Sequence, residues 1–318
     1  MRFPAFFFAV LAAGAAMAGD VTVTDDSGRS VTLPEQPERI VVLHEPLLGI
    51  PLMDLGVTPV ASYGRAEDGS NLTALDFVDI ILGPGTEKPG TGIGPIGNID
   101  LEKLGRLDPD LILATEFDID KAERFSAVAP VYLKSVSTGV ASGISVQEDL
   151  AELLGLQDRF KARKADYLER VAALRDRFAD NIEGKSYVAI FLTDQVNLIG
   201  EMSGAVQALK DLGYKRAEVT DFGAAKGSGS TLFMPLSPEV FVRLNPDVMI
   251  LMGTYAKENR SESAIRKRLS QIVPGWENFL RPAKENRLMF LDSAEVSTPT
   301  VASAEHTVDA VEAWLSER

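Results

Sequence analysis

The sequence predicts an α/β fold: two similar Rossmann-like lobes with parallel sheets, joined by one long connecting helix. Three observations predict it. Short apolar runs alternate with helix-period segments in both halves, the pattern of parallel sheets crossed over by helices. An eleven-residue segment of the first half recurs in the second at a constant offset of 137. Between the halves lies a stretch of helix-forming residues with a single apolar stripe. At 318 residues, 45% hydrophobic and 25% charged, the chain has ordinary globular composition and length for two compact units.

The elements follow in order. Met1-Arg2 begins with positive charge, Phe6 to Ala16 is apolar, and Ala16-Met17-Ala18 is an A-x-A site, so residues 1–18 read as a secretory signal cleaved near Ala18/Gly19. Val21 to Thr24 and Arg29 to Leu33 alternate around an Asp25-Asp26-Ser27-Gly28 turn, which predicts a hairpin. Ile40 to Leu43 is a buried-type strand, Leu47 to Leu55 a helix stopped by Gly56, and Val57 to Ser62 a second strand. Residues 64–97 are rich in Gly, Pro and Thr and read mostly as loop. Asp100 caps a helix over Leu101 to Leu107, and Leu111 to Leu113 is a strand. Asp120 to Val128 is helical and Val131 to Leu133 is again a strand. Phe160, Tyr167, Val171, Leu174 and Phe178 share one face of a helix predicted over Asp158 to Asp180. Tyr187 to Leu192 restarts the pattern, followed by a helix from Ala205 to Leu212 ended by Gly213. The boundaries are therefore an N-terminal lobe over 19–157, a connecting helix over 158–181 and a C-terminal lobe over 182–318.

The repeat aligns Asp100 to Asp110 with Ser237 to Asp247, with Glu, Arg, Leu, Pro and Asp coinciding. Each copy opens on a capping residue and runs into an apolar strand, the second being Val248 to Leu251. A fainter echo pairs Leu52 to Gly56 with Leu209 to Gly213, in the same order. The first half carries about twenty additional residues in its Gly/Pro-rich loop.

Charge and composition exclude several functions. A formal charge of −14, or −15 once Arg2 leaves with the signal, repels nucleic acid and anionic lipid. With no cysteine the chain has no disulfide, and none to carry a lipid at the cleavage site, so a soluble mature protein is expected. Gly92 to Gly97 spells G-x-G-x-x-G, but Pro95 lies inside it and no buried strand precedes it, so it is a loop and not a dinucleotide fingerprint. No phosphate-binding loop is present. His44 and His306 are the two histidines, which argues against a zinc site. Ser203 lacks the nucleophile-elbow spacing, so no catalytic residue is assigned.

The hairpin start, the Pro37 to Leu43 strand, the LEKLxxLxPDLI unit at 101–112, the helical connector and the LSPEVxxxLxPDV unit at 236–248 together resemble the class III periplasmic binding proteins. The resemblance covers nearly the whole chain after the signal. It implies a non-enzymatic, monomeric, periplasmic solute-binding protein that holds an iron complex, a ferric siderophore first, in a cleft between nearly rigid lobes. It implies delivery to an ABC permease dimer, with no cofactor and no protein-bound metal. Haem or cobalamin is the alternative ligand, and a secreted α/β enzyme is the alternative of another class. In that family one Glu per lobe docks on basic residues of the permease, and Glu102 and Glu239 match those positions. Each also lies in a first helical turn, where the dipole alone favours a carboxylate by ~0.3–1 kcal/mol.

Ligands of open α/β sheets bind beyond the carboxyl ends of the strands. Those ends offer His44, Glu45, Tyr63, Arg65, Glu116 and Phe117 in the first half, and Asp194, Gln195 and Tyr255 in the second. Lys226, in a Gly/Ser loop, and Phe233 are further candidates. Arg65 reads either as the cation that neutralises an anionic chelate or as a solvated loop arginine. The aromatic residues suit a flat or macrocyclic ligand, or core packing.

Overall fold

The computed structural model describes residues 19–95, 98–223 and 230–318; the segment read as a signal lies outside them. The chain begins with the hairpin β1 (Asp20–Thr24) and β2 (Ser30–Pro34), paired antiparallel from Asp20–Pro34 to Thr24–Ser30. Its turn does more than reverse the chain. The Asp25 carboxylate accepts from the Ser27 and Arg29 backbone N–H groups and from the Arg29 guanidinium. Asp26 accepts from Lys134 Nζ at 2.6 Å and from the Ser135 N–H at 2.9 Å, which fastens the hairpin to the first sheet.

That sheet contains β3 (Ile40–Val42), β4 (Ala61–Ser62), β5 (Leu111–Thr115) and β6 (Val131–Lys134), ordered β4-β3-β5-β6 and parallel throughout. Both faces are covered, which is why its strands are unbroken apolar runs. Ile40, Val42, Leu111 and Leu113 pack on one side; Val41, Leu43, Ile112 and Ala114 pack on the other. The strand expected over Val57 to Ser62 shortens to two residues, since Pro59 has no N–H for a ladder. The Leu47 to Leu55 helix becomes a wide turn at Glu45–Gly49 followed by the single helical turn Ile50–Met53. The Asp120 to Val128 helix begins earlier, as a 3-10 turn over Glu116–Lys121, and continues as Ala122–Ser126.

The second sheet departs from the expected all-parallel form. It comprises β7 (Ser186–Leu192), β8 (Val196–Ile199), β9 (Lys215–Arg216), β10 (Phe233–Leu236), β11 (Val248–Met252) and β12 (Leu288–Phe290). The order is β10-β8-β7-β11-β12, with β9 also beside β7. β8 runs antiparallel to β7 and to β10, because the chain turns back at once through Thr193 to Gln195 instead of crossing over through a helix. β7, β11 and β12 are parallel.

The repeat proves to be geometric. The Asp100 side chain accepts from the Lys103 N–H at the start of helix Leu101–Arg106, and the Ser237 side chain accepts from the Val240 N–H at the start of Pro238–Phe241. The closing Asp of each copy holds the entrance of the neighbouring strand. Asp110 accepts from the Glu38 and Arg39 N–H groups ahead of β3, and Asp247 accepts from the Ser186 N–H that opens β7.

Between the sheets in chain order, helix Gln157–Arg177 extends about 31 Å at 1.5 Å per residue. It buries Phe160, Tyr167, Val171 and Leu174, the predicted stripe. It ends three residues before the expected Asp180: Phe178 leaves helical geometry, and a separate turn Ala179–Ile182 follows. The helix rests on Gly204–Leu212 and on the C-terminal helix Val301–Ser316. Gly204 allows those two to meet, since a Cβ there would fall 2.5 Å from the Ala304 backbone nitrogen.

Polar groups bind the halves at this junction. Arg163 pairs with Asp54 of the first half and, through both guanidinium nitrogens, with Glu305 of the C-terminal helix. Asp54 and Gln147 accept from the Ala302 and Val301 N–H groups, satisfying two donors at that helix's N-terminus with groups from the other half of the chain.

Candidate functional site

A cavity of about 330 Å³ lies between the halves. This is near the lower end of the range for small-molecule sites. From the first half it takes the segments that follow β3 and β4, namely His44 to Leu47 and Tyr63-Gly64, together with Phe117 just beyond β5. From the second it takes Ile199, Phe233 and Met252 on the sheet, Met202, Ser203 and Ala205 at the head of helix Gly204–Leu212, and Tyr255, Ser297 and Thr298.

Of the residues expected at the cleft, the structure brings together His44, Glu45, Tyr63, Phe117, Phe233 and Tyr255. Arg65 is placed elsewhere. It is 1% exposed, with Nε and one terminal nitrogen on the two Glu45 oxygens at 2.6 and 2.7 Å, and with further bonds to Asp76 and the Gly69 carbonyl. It is neither a solvated loop arginine nor part of the cavity lining: the Glu45 carboxylate, only 17 residues upstream of Ser62 and also bound by its hydroxyl, captures it internally. Burial opposes its charge, but Glu45 and Asp76 outweigh that and raise its pKa. Glu116 is likewise used in the scaffold, accepting from the Val136 and Ser137 N–H groups at 2.9 and 2.5 Å. Asp194 and Gln195 sit in the tight β7–β8 turn, where Arg268 Nε donates to the Thr193 carbonyl, and not on the cavity wall. Lys226 lies outside the described residues. Ser203 is a helix cap, its hydroxyl accepting from the Val206 N–H at 3.1 Å.

The wall that sequence reasoning missed comes from the Gly/Pro-rich loop. Asn71, Thr73, Leu75 and Phe77 line the cavity, and helix Phe77–Ile81 packs across onto the second half through Val78, Ile81 and Ala302. His306 Nε2 meets the Ile81 carbonyl at 3.0 Å. The available signal was local: Asp76 precedes an apolar Phe77-Val78-x-Ile80-Ile81 run and caps it by accepting from the Val78 N–H. Arg65 and Lys88 both hold that Asp76, so the buried arginine positions the wall. Their charges lower the Asp76 pKa against the opposing effect of burial. Gly92, in the decoy motif, passes so close to Arg65 that a Cβ would fall 1.8 Å from its carbonyl oxygen. This close approach, not phosphate binding, accounts for that glycine.

The wall is aromatic across both halves. Phe77 meets Tyr255 edge-on at 5.4 Å, Tyr255 meets Phe191 at 5.4 Å, and Phe191 meets Phe233 at 4.5 Å. Burial raises the Tyr255 pKa against a hydrogen bond from Ser297, so its phenol stays protonated. Burial pushes His44 down to about 4, with a backbone hydrogen bond and the Glu116 charge acting the other way. Its Nδ1 accepts from the Leu47 N–H at 3.3 Å, which puts the proton of the neutral ring on Nε2. On the far side the halves are joined again: the Thr231 N–H and hydroxyl donate to the Ser137 carbonyl, and the Gly143 N–H donates to the Glu201 carbonyl. Among the described residues no cluster of three or more His, Cys, Asp or Glu could hold a metal ion.

Two α/β halves with a partly open cleft at their junction define a two-lobed binding protein. Comparisons agree. Residues 68–295 match the family model of the periplasmic binding proteins. The Fe(3+) dicitrate-binding periplasmic protein FecB of Escherichia coli is 30% identical over 298 residues, covering 92% of this chain and 89% of FecB. The putative ABC transporter substrate-binding lipoprotein YhfQ of Bacillus subtilis is 25% identical over 93% of this chain and 87% of its own. Among solved structures, Staphylococcus aureus SirA complexed with staphyloferrin B superposes with a TM-score of 0.65 at 18% identity, covering 93% of this chain and 97% of SirA. The chain belongs to the periplasmic binding protein family. Its members are substrate-binding proteins and not enzymes.

Proposed function

We propose that the protein captures a ferric chelate, of the siderophore type, in the aromatic cavity between its lobes and delivers it to an ABC permease dimer. The observation that carries this is the cleft itself, lined from both halves and walled by aromatic residues. FecB, which binds Fe(3+) dicitrate, and SirA, seen in complex with staphyloferrin B, support the choice of iron complexes. In this reading His44, Tyr63, Phe117, Phe233 and Tyr255 touch ligand, and Arg65 positions the wall. Residues 19–157 and 182–318 are the lobes and 158–181 the connector. The protein works as a periplasmic monomer after cleavage near Ala18/Gly19. Glu102 and Glu239, both exposed and both two residues past the capping residues Asp100 and Ser237, dock on the permease.

The test is to purify the protein from its native host under iron limitation and measure metal and visible absorption. About one ferric chelate per chain, with a charge-transfer band, is expected. A Soret or corrinoid band would replace the iron chelate by haem or cobalamin, and a protein that binds nothing from a panel of ferric chelates, haem and cobalamin would overturn the reading.

A further inference from the structure

The cavity lining is short of positive charge. Among the described residues no Lys or Arg lines it, and the ionisable side chains there are His44, Glu45, Tyr63 and Tyr255. Behind the lining, the Arg65 guanidinium is saturated by Glu45, Asp76 and the Gly69 carbonyl. Lys88 is held by Asp76 and Asp79 at 3.0 and 2.7 Å. The three carboxylates of this wall thus face two cations, leaving one net negative charge. Glu116 adds another carboxylate beside His44. His44 itself supplies no charge above a pH of about 4. All of this sits on a chain of formal charge −14.

A trianionic chelate entering such a cleft loses water and meets no cation among the described lining residues, and an unpaired charge taken out of water is destabilised. Iron chemistry offers ligands without that penalty. Three singly charged bidentate groups, as in a trishydroxamate, balance Fe(3+), whereas three catecholates leave three negative charges. A pendant ammonium would make the complex cationic, and the faces of Tyr63, Phe117, Phe233 and Tyr255 attract a cation.

We infer that this cleft selects ferric chelates of zero or positive net charge, of the trishydroxamate class, and discriminates against polycarboxylate and catecholate chelates. The inference rests on the iron-chelate reading above and departs from the Fe(3+) dicitrate binding of FecB.

Isothermal titration of the whole mature protein with ferrioxamine B, ferric dicitrate and ferri-bacillibactin tests it. Ferrioxamine B should bind tighter than either anion by roughly a hundred-fold or more. Lys226→Ala protein should rank the three in the same order. Thr73→Lys, which places a cation on an exposed part of the wall, should move the ratio of affinities toward ferric dicitrate by roughly ten-fold, the scale of one charged hydrogen bond. Either anion binding as tightly as ferrioxamine B, or an unchanged ratio in folded Thr73→Lys protein, overturns the inference while leaving the iron-chelate reading in place. Failure of all three to bind removes that reading and the inference with it.

Discussion

Arg65 carries charge into the interior of the first lobe, where Glu45 and Asp76 answer it. Its side chain is 1% exposed against 8% for Glu45 and 19% for Asp76, so solvent screens the group little. Removing one partner of such a buried group costs ~3–5 kcal/mol. Arg65→Ala should therefore lower unfolding free energy by that amount in urea titration, and weaken ligand binding only through disorder of the Asn71–Phe77 wall. Loss of affinity with unchanged stability would instead make Arg65 a ligand contact. His44 acts on stability through pH. Its folded pKa of about 4 lies below the ordinary value of 6.5, so between those values the unfolded chain binds a proton that the folded protein refuses. Stability from this group is complete above pH 6.5, falls as pH drops toward 4, and changes no further below that. The difference amounts to roughly 3 kcal/mol. Asp76 weakens the same region at lower pH. Its depressed pKa contributes stability above the unfolded carboxylate value, lost as pH falls through the folded one. His44→Asn protein should show a flatter stability profile between pH 4 and 6.5 by stepwise denaturant titration; an unaltered slope would mean the imidazole is not the group responsible.

At the scale of elements, the connector is fixed by more than its apolar stripe. Arg163 bonds Asp54 and Glu305 at once, its pKa raised first by Glu305, and the Tyr167 hydroxyl donates to Asp211 at 2.9 Å. Arg163→Ala leaves Asp54, 5% exposed, and Glu305, 21% exposed, without this cation. A loss of about 2–4 kcal/mol should follow, below the full buried-pair range because Arg163 is itself a quarter exposed. If the junction also sets lobe motion, the variant should show a larger ligand-induced change in radius of gyration by X-ray scattering than the parent protein. These elements differ in how far the sequence revealed them. The hairpin, β3, β5, β6, β7, β11 and the connector were legible because each carries a period or an apolar run that burial demands. The repeat was legible because Asp110 and Asp247 do one job twice. β8 and β10 were not, since Thr193 to Gln195 gives no Gly or Pro turn signal, and β10 carries Pro235. The cavity wall at Asn71 to Phe77 was hidden for another reason. It depends on Arg65 meeting Asp76 and on Phe77 meeting Tyr255 across the cleft, and no local pattern encodes contacts between distant segments.

For the whole molecule, the proposed delivery to a permease dimer requires the two lobes to present themselves together to a two-fold partner. Glu102 and Glu239 are one per half, both exposed, and both in the first turn of helices capped in the same way. Among the described residues Glu102 bonds to Arg106 on its own helix, with 86% of its side chain exposed, and hydrogen bonds from its own backbone and Ser237 lower the Glu239 pKa. Neither touches the cavity. Substitution at either should therefore leave ligand affinity and folding almost unchanged. Uptake behaves differently if these carboxylates meet basic permease residues. A charge pair buried at an interface and deprived of one partner costs ~2–5 kcal/mol, enough to lower docking affinity by more than ten-fold. Reversal to Lys adds repulsion, so Glu102→Lys with Glu239→Lys should impair uptake more than either single change or than the alanine pair. Iron-chelate uptake in whole cells, measured beside titration of the same purified variants, separates the possibilities. Normal uptake by the double lysine protein would remove these residues from the docking surface. Lost ligand affinity would place them in the control of the cleft. Impaired uptake with intact affinity is the expected result, because the carboxylates lie outside the binding site yet on matched ends of the two lobes.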